Sequence, residues 1–159
     1  MPLHVCSLQE TVNQSIPPNT WTLVRYSYGS LESYDAWDMH SPNQPTGSPV
    51  TDWATDDRSG LIWPSKAGWA DLLCDFIWSA GDYDEIRDQF VRDPLGSPDV
   101  TSVEHRALSP GAQYFAKHHG IFVNTATPIG VQVYHNASTA VDLAYSQFKM
   151  VIDDVQEPW

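Results

Sequence analysis

The residues best suited to acid–base chemistry are clustered in Tyr34-Asp35-Ala36-Trp37-Asp38-Met39-His40. An imidazole beside carboxylates can serve as a general base. A nucleophile elbow of the Gly-x-Ser-x-Gly type is absent from the chain, and Asp side chains in loops characteristically bond to their own backbone and shape turns. The reading is therefore a turn built by Asp35 and Asp38, and a protein that is not an enzyme. His118-His119 invites a metal, but neighbouring strand residues point to opposite faces. The Cys/His pairs that mark zinc sites are missing. The clusters Asp52/Asp56/Asp57 and Asp82/Asp84/Glu85 lack the Asp-x-Asp-x-Asp-Gly spacing of a calcium loop. They read as solvated surface charge, so neither metal nor cofactor is expected.

The candidates for recognition are the isolated aromatics Tyr34, Trp37 and Trp53, set in a stretch rich in Ser, Asp, Pro and Asn. Aromatic faces stack on sugar rings and anchor protein interfaces. The alternative role for the three is to close one end of the fold over its core.

The chain of 159 residues carries 20 acidic against 8 basic side chains, a formal charge of −12. With so few Lys and Arg, phosphate neutralisation and attraction to anionic membranes are both disfavoured. A basic partner suits such a surface better. Met1-Pro2-Leu3-His4 does not resemble a signal peptide, and no run of side chains is long and apolar enough for membrane insertion. The sequons at Asn13 and Asn136 read as chance matches. Cys6 and Cys74, both in apolar runs, are expected to be buried free thiols.

The positioning elements read as strands. Seven Trp, seven Tyr and five Phe favour pleated surfaces, while 12 Pro and 9 Gly favour frequent turns. Alternation predicts strands over residues 3–12, 21–28, 59–64, 84–91, 100–107, 112–123, 129–135, 141–143 and 145–153. Residues 29–60 form a long ordered loop region. The apolar run 69–79 also satisfies a helical template, but its aromatic content and bounding glycines favour a buried strand. Gly120 marks a bulge or a close backbone approach. The pattern is a single all-β domain over 1–159, a sandwich or barrel.

Several segments, in order, resemble the tumour-necrosis-factor-like jelly roll, the globular head of complement-type proteins, in its bacteriophage form. They are 13–22, the Tyr34–His40 segment, Gly60-Leu-Ile-Trp-Pro-Ser-Lys-Ala-Gly68, Pro128-Ile-Gly-Val-Gln-Val-Tyr-His-Asn136 and Ser146-Gln-Phe-Lys-Met-Val-Ile152. The likeness spans about residues 10–153, with longer or less regular connections at 40–58 and 93–111. It implies a two-sheet antiparallel jelly roll of about ten strands that assembles as a homotrimer; given that symmetry, either His118 or His119 could repeat around the axis and bind an ion or an anion there. It further implies a virion protein. With no heptad or collagen-like stalk in the sequence, the expected role is a capsid decoration protein docking on the phage major capsid protein. The alternative is a receptor- or carbohydrate-binding module of a tail, fibre or baseplate, with a host-surface glycan as partner.

Overall fold

The computed structural model describes residues 2–29 and 32–153, so residues 30–31 of the expected loop lie outside the described residues. Among the described residues ten strands are formed: β1 (His4–Glu10), β2 (Gln14–Ile16), β3 (Thr22–Leu23), β4 (Glu32–Tyr34), β5 (Gly68–Trp78), β6 (Ile86–Arg92), β7 (Asp99–Arg106), β8 (Gln113–Val123), β9 (Ile129–His135) and β10 (Val141–Asp153). One sheet runs β4-β1-β10-β5-β8, with β2 also paired to β10, and the other runs β3-β9-β6-β7. Every pairing is antiparallel. This is the sandwich of the two architectures the alternation left open, and the two-sheet arrangement the resemblance implied.

Burial along β5 decides its ambiguous run in favour of a strand. Ala70, Leu72, Cys74, Phe76 and Trp78 are buried, and the residues between them are not, which is period two rather than 3.6. Phe148, Met150 and Ile152 of β10 project to the same side and are fully buried. They meet Ile86 and Phe90 of β6 and Val131 and Val133 of β9 in one core, with the Phe90 and Phe148 rings 6.0 Å apart. Cys6 and Cys74 are buried and free, as expected. They lie on β1 and β5, on either side of β10, and desolvation holds both thiols well above the usual range.

A buried ion cluster joins the two sheets beside their β7 and β8 edges. Asp88 on β6 takes Lys117 Nζ at 2.6 Å from β8 and Arg106 Nε at 2.8 Å from β7. Lys117 also donates to the carbonyl of Ser102, which sits at φ 56° where the β6–β7 register shifts. Removing one member of such a group strands the others in a poor solvent for charge.

The structure corrects several expected strands. Of 21–28 only Thr22–Leu23 joins a ladder. Beyond it Val24 and Tyr26 N–H still bond the Val131 and Ser59 carbonyls, and side chains supply the remaining partners. Gln14 donates from Nε2 to the Leu23 carbonyl and accepts Arg25 N–H at Oε1. The buried Glu10 carboxylate accepts Thr11, Val12 and Ser27 N–H and the Ser27 hydroxyl. The expected strand at 59–64 is a short 3₁₀ helix (Asp57–Gly60) followed by one bridge, Ile62 to Ile129. Gly60 allows a close backbone approach there, since a Cβ would lie 2.3 Å from the Val24 carbonyl oxygen. β2 and β4 were not anticipated, and 141–143 and 145–153 form one strand with an irregularity between Leu143 and Tyr145.

Candidate recognition and assembly surfaces

The cluster around His40 is structural. Asp35 accepts the backbone N–H of Met39 and of His40, at 2.9 and 2.8 Å, so it shapes the turn as its type predicts. Burial is the main influence on its carboxyl and raises it above the usual range, with the two backbone bonds opposing. His40 is 2% exposed. Its Nδ1 lies 2.6 Å from Glu32 Oε1 and its Nε2 2.8 Å from the Ser59 carbonyl oxygen, while Tyr28 stacks on the ring at 4.4 Å. Neither nitrogen is left to meet a substrate proton. Asp38 stands apart at φ 52°, with an exposed side chain.

This locked turn holds Trp37 outward, 40% exposed. One indole face is covered by His4, stacked at 3.6 Å and 8°, and His4 is oriented by Ser65 through Nδ1 at 2.5 Å. Tyr34 is 52% exposed, but on strand β4 opposite Ser7 rather than in a loop. Trp53 is half-buried and lines a separate cleft with Asn13, Gln14 and Arg25. Tyr34 and Trp37 therefore flank β1, and Trp53 belongs to different surroundings.

Periodic sequence reading missed the surface that alternation creates on the outward side of the β1-β10-β5-β8 sheet. Trp69 and Leu73 of β5 and Tyr114 and Phe122 of β8 are all exposed there, Phe122 at 63% and Tyr114 at 69%. Trp69 meets Phe122 edge to face at 5.2 Å. The Trp69 indole also covers Gly120, where a Cβ would lie 2.6 Å from the ring. Gly120 is thus a close approach, and the β5–β8 register runs through it without a bulge. Two shallow cavities lie on this face, one bordered by Leu73, Asp75, His118 and Lys149 and the other by Ile77, Tyr114 and Tyr145. A signal was available: four large apolar residues at the polar positions of two strands.

His118 and His119 do point to opposite sides. His118 is exposed and 3.2 Å from Asp71, whereas His119 bonds Thr101 Oγ1 at 2.9 Å. The carboxylate clusters are committed locally. Asp52 binds Ala54 N–H and the Thr55 hydroxyl, Asp57 pairs with Arg25, and Asp82 caps Ser138. Asp56 grips Arg58, which holds its carboxyl below the usual range. Among the described residues no group of three or more His, Cys, Asp or Glu is placed to hold a metal.

The two-sheet all-β fold is similar to the jelly roll of tumour-necrosis-factor and complement globular domains. Solved structures with this fold include Eiger TNF from S. frugiperda, at TM-score 0.60 and 12% identity, covering 100% of this chain and 98% of that one. The globular domain of zebrafish complement 1qA matches at TM-score 0.63 and 9% identity, covering 96% and 98%. Murine APRIL matches at 0.57 and 12%, covering 96% and 100%. At these identities the likeness is one of fold. No protein-family model matches the chain, and no curated protein does either.

Proposed function

We propose that this protein is a non-enzymatic assembly module that forms a homotrimer and serves as a phage capsid decoration protein docked on the major capsid protein. The observation that carries the assembly half is the exposed apolar face of Trp69, Leu73, Tyr114 and Phe122. Exposed apolar clusters on a folded domain mark interaction sites, and Trp69 against Phe122 forms one at one end of this face, with Leu73 and Tyr114 further along it. Two strands that spend outward positions on large aromatics leave that surface to be covered by another chain. Cyclic closure of copies is the common solution for a single chain, and three-fold closure is what the sequence resemblance implies. The virion setting rests on that resemblance and on an acidic surface suited to a basic docking patch.

Purified protein titrated onto empty capsids of the same phage tests the docking half. Saturation at a fixed copy number per particle supports decoration, and failure to bind at any concentration contradicts it. A second reading, binding of a host-surface glycan, is favoured by the locked turn that holds Trp37 in solvent beside Tyr34.

A further inference from the structure

The turn that presents Trp37 also borders a cavity of about 220 Å³ lined by Asp38, Met39, Ser41, Asn43, Pro45 and Trp63. Its walls are fixed before any ligand arrives. Trp63 donates its indole N–H to Gln44 Oε1 at 2.8 Å and its backbone N–H to the Met39 carbonyl at 2.8 Å. Gln44 Nε2 holds the Ser41 carbonyl, and Val50 N–H holds that of Pro42. Met39 is 1% exposed and forms an apolar floor. Within this frame the Asp38 carboxylate and the Asn43 carboxamide bond to no other described residue.

We propose that this cavity is a subsite for a neutral hexopyranose unit of a glycan. The proposal rests on the glycan-binding reading and gives it a location and a ligand class. A carboxylate accepts from two hydroxyls, and a carboxamide both donates and accepts. Lining one cavity, the two supply the acceptors and donor that sugar hydroxyls require, and the Trp63 indole adds an aromatic wall of the kind that packs on sugar C–H groups. Asp38 and the net charge of −12 select against sialylated or sulfated sugars. Trp37, next to Asp38 in the chain and 40% exposed, is placed for a second ring. None of the lining residues belongs to β1, β10, β5 or β8, so the subsite stays open when the outward face of that sheet is covered.

The test presents the full chain to an array of neutral and acidic glycans and, by saturation-transfer NMR, to the methyl glycosides of glucose, galactose, mannose and N-acetylglucosamine. Asp38→Asn keeps a residue that tolerates the left-handed backbone, and Asn43→Ala changes an exposed side chain. The expected result is binding of neutral sugars, weakened about tenfold by either variant, with thermal midpoint and oligomeric mass unchanged. Neutral-glycan binding that survives both variants overturns the subsite while leaving the glycan-binding reading intact. Retention of acidic glycans alone also overturns the subsite. Retention of no glycan overturns both.

Discussion

The outward face of β5 and β8 and the segment from Asp35 to Trp63 put aromatic residues in solvent by opposite means. On the sheet face, regular pairing from Gly68↔Val123 to Trp78↔Gln113 holds β5 and β8 in register, and the side chains project with little to hold them beyond their neighbours. In the 35–63 segment almost no ladder exists, and shape comes from side chains bonding backbone: Asp35 to Met39 and His40, His40 to Ser59, and Asp56 to Arg58. The face owes its form to the fold and is free to serve an interface. The segment owes its form to polar residues that bond its backbone, such as Asp35 and His40, so altering those alters the fold.

That contrast breaks most visibly if a charge is placed on the face. Leu73→Asp is expected to abolish self-association while changing monomer stability by less than about 0.5 kcal/mol, because the site is 38% exposed. Light scattering paired with chemical denaturation reads both effects. His40→Ala is expected to do the reverse. It strands the Ser59 carbonyl and Glu32 and opens space beneath Tyr28, costing about 2–3 kcal/mol of stability. Oligomeric mass should not change. A His40 variant that lowers the mass, or a Leu73 variant that unfolds the chain, would mean the two regions are not separable.

Gly120→Ala sharpens the comparison within the face. The new Cβ displaces the Trp69 indole from its seat, at a cost of about 1 kcal/mol, and assembly weakens in parallel. The smallest effect concerns pH in the segment. Arg58 holds the Asp56 carboxyl below its ordinary 3.8, so the stabilisation is complete above that value and is lost as pH falls through the lower folded one. The gap between wild type and Asp56→Asn in thermal melts should be under about 1 kcal/mol at neutral pH and close as pH falls below the ordinary carboxylate range.

The same contrast explains what the sequence revealed. Strands whose inward positions are apolar, such as Phe148 to Ile152, declare themselves by period two, and so a sandwich or barrel was legible, whereas Ala70 to Trp78, whose run also fits a helix, is told as a strand by its aromatic content and bounding glycines. Asp35 was legible as a turn former for a local reason, since its partners lie within the next few residues. Glu10 and Gln14 were not, because their role is to supply bonding partners to a distant segment, Leu23 to Ser27. The grouping of Tyr34, Trp37 and Trp53 came from their shared loop-like context. The structure sets them in different surroundings, since β4 places Tyr34 against Ser7 and Trp53 lines a cleft with Arg25. Trp63, set in an expected strand, gave no sign that it walls a cavity with Asp38 and Asn43.

The central claim is that the outward sheet face is an interface between copies of this chain. Static light scattering of the purified protein across micromolar concentrations tests it most directly. The account predicts three times the chain mass, falling to one chain mass in folded Leu73→Asp; a wild-type protein that stays at one chain mass throughout would contradict it.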